Sequence, residues 1–209
     1  MRCILLSGGP PSDCAGVRLP RRPGDYVIAC DAGYLLAARL GLRPDLAVGD
    51  FDSLRGGVDP SVPVHTAPRA KDDTDTMLGA RLGLERGCRE FLIVGGFGGR
   101  LDHTVANLQT LCFLAGEGAS AQIRSDRNLA WAVRDGTLEL EPLEGWHLSV
   151  FAASGPCEGV TLEGLAYPLD RRRLTPDYPI GVSNEFTGGP ARVTVERGTL
   201  LVIASKEDP

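Results

Sequence analysis

Residues 91–103 read FLIVGGFGGRLDH and join the clearest buried strand of the chain to a glycine-rich turn. The apolar run at 91–94 predicts a strand with both faces covered, and the glycines after it predict a tight turn. Beyond the turn, apolar residues recur at helical spacing up to Gly116, at Val105, Leu108, Leu111, Cys112 and Leu114. The segment therefore predicts one strand–turn–helix unit of an α/β fold.

The same unit recurs on the N-terminal side of this stretch. Short apolar runs at 2–7, 26–30, 46–48 and 62–66 each lead into a turn, and helical patterns occupy 34–42 and 76–86. Strands that alternate with helices predict a parallel sheet with right-handed crossovers. We therefore expect an α/β domain of the three-layer, Rossmann-like class.

The pattern changes after Asn128. Apolar and polar residues alternate at 138–141, 147–151, 159–163 and 191–196, and no helical pattern returns. Such alternation predicts antiparallel strands in a sandwich or small barrel. We place the boundary near Arg127, with an α/β domain over 1–127 and an all-β domain, expected to be a sandwich, over 128–209.

Acidic side chains follow four of the predicted strands. They are Asp31, the pair Asp50 and Asp52, the run Asp72, Asp73 and Asp75, and Asp102. Ligands of open α/β sheets bind beyond the carboxyl ends of the strands, so these positions predict a site. Asp50 and Asp52 are two apart, which points both carboxylates the same way in an extended segment and suits Mg²⁺. A turn or helix cap explains any one of them equally well, but explains all four groups together poorly.

The glycine-rich turn at 95–100 offers main-chain amides to anionic oxygens, at the start of a helix whose dipole favours negative charge. It fits neither GxxxxGK[ST] nor GxGxxG. Together with Lys71, Arg100 and the carboxylates, it predicts a phosphate site in which a metal bridges oxygens and cations neutralise charge. His103 either contacts the ligand or is a local hydrogen-bonding partner of Asp102.

Charge and composition restrict the classes of ligand that the protein is expected to bind. The 22 Lys and Arg residues against 27 Asp and Glu residues give a net charge of −5, which disfavours nucleic acid but not small phosphates. No apolar run is long enough for a membrane span, and the N-terminus does not resemble a secretory signal. The 6 cysteines include no CxxC pair, so we expect a cytoplasmic protein without a structural zinc.

Four short motifs occur in a fixed order along the chain: GDFDS at 49–53, KDDTD at 71–75, GFGGRLDH at 96–103 followed by Ala106 and Asn107, and SNE at 183–185. Together they resemble the ordered motifs of the thiamine pyrophosphokinases (thiamine diphosphokinases). The resemblance runs from about Cys30 to Ile203, and the residues before Gly24 add little to it.

The resemblance implies an activity and an assembly. ATP would donate its diphosphoryl group to the hydroxyl of thiamine, giving thiamine diphosphate and AMP, with Mg²⁺ as cofactor. The chain would be a homodimer, with ATP and Mg²⁺ bound by residues 1–127 and with thiamine binding and dimerisation assigned to 128–209. Animal and fungal members carry a tryptophan after the SNE turn that stacks on thiamine, and the strand at 200–203 has none here.

Carried over position by position, the resemblance assigns roles to the motif residues. The implied catalytic residues are Asp50, Asp52, Lys71, Asp75, Arg100 and Asp102, of which Asp50, Asp52 and Asp75 are the metal ligands. The implied nucleotide-binding residues are Asp31, Gly33, Asp72, Gly98, Gly99, His103 and Asn107. Ser183 and Asn184 are the implied thiamine contacts, which complete the site across the dimer interface, whereas Asp73 matches a variable position.

Two other functions fit the same residues. One is a Mg²⁺-dependent phosphohydrolase that uses water as the nucleophile, and the other is a nucleotide- or thiamine-binding protein without catalysis. The second is disfavoured because clustered carboxylates repel a triphosphate unless a metal intervenes. In the transferase, Asp75 or Asp102 would accept the hydroxyl proton, while Trp131 and Trp146 are expected to pack in the core or an interface.

Overall fold

The computed structural model describes residues 1–51, 57–66 and 73–207. The chain forms two compact units: unit 1 contains residues 1–110 and 118–126, and unit 2 contains residues 111–117 and the chain from Arg127 onward. Three predicted site residues, Asp52, Lys71 and Asp72, lie outside the described residues.

Unit 1 is built on a parallel sheet. Its strands are β1 (Arg2–Leu6), β2 (Tyr26–Cys30), β3 (Leu46–Val48), β4 (Val64–His65), β5 (Glu90–Val94) and β6 (Ser120–Arg124). Their order is β6–β5–β1–β2–β3–β4, and every neighbouring pair is parallel. All five residues of β1 are buried: the four apolar residues as their run predicts, and Arg2 in an ion pair with Asp25. The parallel α/β arrangement predicted from the sequence is confirmed.

The helices of unit 1 begin and end at residues with clear sequence signals. They are α1 (Gly33–Arg39), α2 (Asp75–Glu85) and the first ten residues of α3 (Leu101–Gly116), and a short 3₁₀ turn occupies Pro11–Cys14. The predicted helix at 34–42 is too long at its C-terminal end. Gly41 adopts a φ of 66°, and the Leu42 N–H turns back to the Ala37 carbonyl at 2.9 Å, which closes α1 as a Schellman motif.

Two glycines let α2 lie close to the sheet. A Cβ atom on Gly79 would come within 2.7 Å of the Cys30 sulfur, and one on Gly83 would come within 2.6 Å of the Phe91 ring. The buried face of α2 therefore consists of small residues, namely Thr76, Gly79, Ala80 and Gly83. The sequence predicts Met77, Ala80 and Leu84 for this face, which is wrong for Met77 and Leu84: both are only partly buried. Close helix–sheet contact, rather than apolar spacing, sets the orientation.

Unit 2 is antiparallel. Its strands are β7 (Asn128–Leu140), β8 (Trp146–Ala152), β9 (Cys157–Glu163), β10 (Leu169–Leu174), β11 (Asn184–Glu185) and β12 (Ala191–Lys206). The long strand β12 pairs with β7 along its length, with β9 through its first half and with β8 through its second half. The register shifts between Val195 and Thr199, where Gly198 has a φ of 113°. The predicted antiparallel strands are confirmed, and the sandwich stays a prediction.

Buried apolar side chains form the core of each unit, and most of the cysteines are among these buried residues. All six cysteines are free thiols, and all but Cys112 are buried. None of the described helices has the length and apolar character that a membrane span requires.

Candidate active site

The carboxyl ends of the central strands of unit 1 lie side by side. Ser7 follows β1 and donates its backbone N–H to the Val94 carbonyl at the end of β5, at 2.8 Å. Asp31 follows β2 and donates to the Val48 carbonyl at the end of β3, also at 2.8 Å. These bonds join neighbouring strand ends, so the turns after β1, β2, β3 and β5 share one edge of the sheet. This is the edge at which the sequence predicts the site.

Glycines let these turns approach one another closely. Gly9 donates its N–H to the Gly95 carbonyl at 2.8 Å, and a Cβ atom on Gly9 would overlap that oxygen. A Cβ atom on Gly33 would likewise overlap the Leu6 carbonyl. The structure therefore gives Gly33, an implied nucleotide contact, a buried packing position at the start of α1. Gly9 is a residue that the sequence analysis missed, although the GGPP run after the first strand signals it.

Two of the predicted carboxylates follow the neighbouring strands β2 and β3. Asp31 is half-buried and has a φ of 47°, a left-handed conformation that aspartate tolerates better than most residues. Asp50 is exposed and follows Gly49. Gly49 has a φ of 142° and lies directly against Asp31. The Gly49 N–H donates to the His65 carbonyl at 3.3 Å. The structure thus brings Asp31 and Asp50 to the same edge.

Asp75 lies in the first turn of α2 and is half-buried. The helix cap is Thr74 rather than Asp75, since the Thr74 hydroxyl accepts the Met77 N–H at 3.2 Å. Asp73 forms an ion pair with Arg81 at 3.0 Å, so its carboxylate is engaged along the helix. An acidic group in the first turn is also favoured by the helix dipole.

The described donors suit Mg²⁺ chemically. Asp50 and Asp75 supply carboxylate oxygens, the hard ligands that this ion prefers. The third predicted ligand, Asp52, lies outside the described residues. Within residues 1–51, 57–66 and 73–207, no group of three or more His, Cys, Asp or Glu side chains forms a metal site. The predicted metal ligand set therefore stays a prediction.

The glycine-rich turn is hydrogen-bonded by Asn107 and lies against Asp13. Asn107 is buried in α3, and its Nδ2 donates to the Gly96 carbonyl at 2.9 Å. Gly98 and Gly99 have φ values of 78° and 65°, and a Cβ atom on Gly98 would overlap the Asp13 carboxylate. Asn107, an implied nucleotide contact, thus holds the turn itself. The turn's backbone conformation requires Gly98 and Gly99 in any case.

Arg100 and Asp102 form an exposed ion pair at the start of α3. Nε and Nη2 of Arg100 donate to the two Asp102 oxygens at 3.1 and 2.5 Å. The Arg100 guanidinium lowers the pKa of the Asp102 carboxyl, and the carboxylate raises the pKa of Arg100. His103 is exposed, and its backbone N–H donates to Asp102 at 3.0 Å. Exposed ion pairs contribute little free energy, so a phosphate can compete for Arg100.

In unit 2, the Asn184 side chain links the strand β11 to the loop that contains Tyr167 by hydrogen bonds. Its Oδ1 accepts the Tyr167 N–H at 2.9 Å and the Glu185 N–H at 3.0 Å, while its Nδ2 donates to the Tyr167 carbonyl at 2.7 Å. Asn184 is buried, whereas Ser183 is exposed with a φ of 57° and donates its N–H to the Ser149 hydroxyl at 3.1 Å. Most of the amide's hydrogen-bonding capacity is used by the chain itself.

Tyr167 is the second residue that the sequence analysis missed. Its side chain is 65% exposed, and Asn184 holds its backbone from both sides. An exposed aromatic ring offers a face on which another ring can stack. Trp131 and Trp146 are partly buried against the unit 2 core, as predicted.

Unit 2 also contains a cavity of about 550 Å³ beside the start of β8. It is lined by Trp146, His147 and three carboxylates, Glu144, Glu185 and Glu207, with no Lys or Arg among the lining residues. The Nε2 atom of His147 lies 3.1 Å from the Glu207 carboxylate. This lining favours a cationic ligand over an anionic one.

A parallel sheet whose carboxyl edge carries carboxylates and a glycine-rich turn is the arrangement expected of α/β proteins that bind nucleotide phosphates. Two family models match the chain in order. The model described as "Thiamin pyrophosphokinase, catalytic domain" matches residues 22–123, and "Thiamin pyrophosphokinase, vitamin B1 binding domain" matches residues 134–200. Together they span most of the chain, which belongs to the thiamine pyrophosphokinase family.

Individual relatives agree with this assignment. The thiamine pyrophosphokinase of Bacillus subtilis strain 168 is 27% identical over 209 residues, covering 97% of this chain and 98% of that protein. The crystal structure of a thiamin pyrophosphokinase family protein from Enterococcus faecalis is 29% identical, with a TM-score of 0.80 over 100% of both chains. The crystal structure of Bacillus subtilis thiamine pyrophosphokinase, at 24% identity, shows the same fold with a TM-score of 0.89 over 100% of both chains.

Proposed function

We propose that this protein is a thiamine diphosphokinase. The hydroxyl oxygen of thiamine attacks the β-phosphorus of ATP, and the bond between that phosphorus and the oxygen bridging to the α-phosphorus breaks. Thiamine diphosphate and AMP are the products, and the hydroxyl proton is released. The observation that carries the proposal is the ordered match of both family models to one chain whose strand ends bear the carboxylates.

Asp50 and Asp75, together with Asp52, are proposed to hold Mg²⁺. When bound, the ion neutralises phosphate oxygens as charge develops during transfer. Lys71 and Arg100 add fixed positive charge, and for this Arg100 turns from Asp102 to the phosphates. The residues proposed to line the nucleotide-binding part of the site are Asp31, Gly33, Asp72, Gly98, Gly99, His103 and Asn107.

An aspartate at this edge of the sheet is proposed to accept the hydroxyl proton of thiamine. Arg100 lowers the pKa of the Asp102 carboxyl, which makes Asp102 a weaker base while the pair is intact. Because Arg100 leaves Asp102 when it turns to the phosphates, Asp75 and Asp102 both stay candidates. Phosphoryl transfer of this kind depends more on positioning and electrostatics than on a strong base.

Thiamine is proposed to bind at the turn that contains Ser183 and Asn184, with the Tyr167 ring as the stacking surface. Asn184 supports this role by fixing the Tyr167 backbone. A tyrosine ring attracts a cation over its face, and thiamine carries a permanent positive charge on an aromatic ring. We also propose a cytoplasmic homodimer in which this turn completes the partner's site.

The test is an assay of purified protein with ATP, Mg²⁺ and thiamine, in which chromatography resolves AMP, ADP and thiamine diphosphate. The proposal predicts AMP and thiamine diphosphate in equal amounts, with neither formed when thiamine or Mg²⁺ is omitted. Nucleotide hydrolysis at the same rate without thiamine would mean a phosphohydrolase. Ligand binding without turnover would mean a binding protein.

A further inference from the structure

Two buried hydroxyl groups connect the sheet to the helix that carries Asp75. The Ser7 Oγ and Thr76 Oγ1 atoms lie 2.6 Å apart, although the residues are 69 positions apart in the chain. Ser7 is 5% exposed and Thr76 is 6% exposed. Buried hydroxyls without a partner cost free energy, and among the described side chains each of these two hydroxyls bonds the other.

Ser7 lies where three turns of the candidate site meet. Its N–H donates to the Val94 carbonyl at the end of β5, at 2.8 Å. A Cβ atom on Gly95 would come within 2.5 Å of the Ser7 carbonyl, and one on Gly33 within 3.1 Å of the Ser7 nitrogen. The glycine-rich turn and the start of α1 are therefore both packed against Ser7.

Thr76 lies in the first turn of α2, directly after Asp75. Within the described residues, this turn is also held by the Thr74 cap, a bond to the Met77 N–H that closes within the helix itself. A cap fixes the shape of the turn but not its place relative to the sheet. The packing of Gly79 and Gly83 places the later turns of α2 against the sheet, and the Ser7–Thr76 bond does so for the first turn.

We infer that the Ser7–Thr76 hydrogen bond is a positioning contact that sets the Asp75 carboxylate relative to the phosphate-binding turns. This inference rests on the proposed function, because it assigns Asp75 to the metal and diphosphate site. Neither hydroxyl touches substrate in this role. Group transfer is sensitive to misplacement, and a displacement of about 1 Å can cost on the order of 100-fold in rate.

The test compares variants that keep or remove the hydroxyl. Thr76→Val and Ser7→Ala remove it, whereas Thr76→Ser keeps it. Thr110→Val is the matched control, because Thr110 is also a buried helical threonine, and its hydroxyl bonds the Ala106 carbonyl at 3.0 Å within α3. Urea unfolding of every variant checks that it folds.

We expect Thr76→Val and Ser7→Ala to lower kcat by about 10- to 100-fold while the KM for thiamine changes less than about twofold. The Kd for Mg²⁺ with α,β-methylene-ATP, an unreactive analogue, should rise, and more Mg²⁺ should be needed for half-maximal rate. Thr76→Ser should recover most of the loss, and the double variant Ser7→Ala/Thr76→Val should be no worse than the worse single variant.

Kinetics and analogue affinity of Thr76→Val within twofold of Thr110→Val would overturn the inference, as would a Thr76→Ser protein no better than Thr76→Val. A wild-type protein that forms no thiamine diphosphate would refute the proposed function instead. The analogue Kd would still decide the role of the hydroxyl pair in that case.

Discussion

Asp75 stands one residue after the Thr74 cap, in the first turn of α2, where its carboxylate does not serve as the cap. We expect Asp75→Asn to lower kcat by at least about 100-fold, because the amide loses the charge that attracts Mg²⁺ and the proton. The change in stability includes the loss of a favourable charge at the helix N-terminus, about 0.3–1 kcal/mol. Steady-state kinetics and urea unfolding measure the two effects.

Asp73→Asn is the matched control, since it removes a carboxylate two residues away. Asp73 pairs with Arg81, and both side chains are partly exposed, so the loss should be about 0–1 kcal/mol in stability with near-normal kcat. Equal losses of kcat in the two variants would contradict the role given to Asp75.

The residue types at the site could be predicted from the sequence, but their partners could not. Acidic residues after apolar runs predict Asp31, Asp50 and Asp75 as site residues without knowledge of the fold, and their roles stay predictions. The Asn107 bond to Gly96 and the Ser7 bond to Thr76 join residues whose spacing forms no pattern. Such contacts become visible only when the strand order is known.

Among the structural elements, the strand β11 is joined to the loop before β10 partly by one side chain. Asn184 makes three hydrogen bonds to the backbone of Tyr167 and Glu185. We expect Asn184→Ala to cost about 1–3 kcal/mol in the free energy of unfolding, because buried backbone groups lose their partners. The KM for thiamine should rise as the Tyr167 ring loses its fixed position. Urea unfolding and thiamine titrations measure both.

Asn184→Asp separates the two directions of this contact. The carboxylate keeps both accepted bonds but loses the donor to the Tyr167 carbonyl, so the KM should lie between those of wild type and Asn184→Ala. A normal thiamine KM in Asn184→Ala would show that Tyr167 does not need this support.

The start of β1 is tied to the turn before β2 by a buried ion pair. Arg2 Nε and Nη2 donate to the Asp25 oxygens at 3.0 and 2.5 Å, and the Arg22 N–H donates at 2.7 Å. Burial alone raises the pKa of the Asp25 carboxyl, but the bonds from Arg2 and Arg22 outweigh it and leave the pKa lowered. Asp25 should therefore stay ionised in the folded protein below the pH at which it protonates in the unfolded chain.

A lowered pKa gives stability that is present above the unfolded pKa and is lost as the pH falls through the folded one. We expect Asp25→Asn to be less stable than wild type by about 3–5 kcal/mol at pH 7, and the difference to shrink below about pH 4. Urea unfolding at a series of pH values measures it. A difference that is constant down to pH 3 would contradict this account.

The sequence predicts which segments are helices and strands better than it predicts which face of a helix is buried. Unbroken apolar runs predicted the parallel strands, and alternation predicted the antiparallel ones. The buried face of α2 was mispredicted because Gly79 and Gly83 carry no apolar signal, yet they are the residues that contact the sheet. The end of α1 is set by Gly41, whose left-handed conformation closes the helix at Arg39, three residues before the predicted end.

At the scale of the whole molecule, the proposed dimer predicts complementation. If Asp75 of one protomer works with Tyr167 of its partner, a dimer of Asp75→Asn with Tyr167→Ala has one intact site and one doubly altered site. Random exchange of subunits should then restore about a quarter of the wild-type rate, measured below the thiamine KM. No gain over the separate variants, in a sample shown to be dimeric by sedimentation, would mean that each site lies within one protomer.

The central claim is that the diphosphoryl group passes directly from ATP to thiamine. The most direct measurement runs the reaction in water enriched in ¹⁸O and determines the isotopic mass of AMP and thiamine diphosphate. Direct transfer predicts no solvent oxygen in either product, because the thiamine oxygen forms the new bond and the bridging oxygen leaves with AMP. Solvent ¹⁸O in AMP, or in free diphosphate released in step with AMP, would show that water is the nucleophile and would contradict the account.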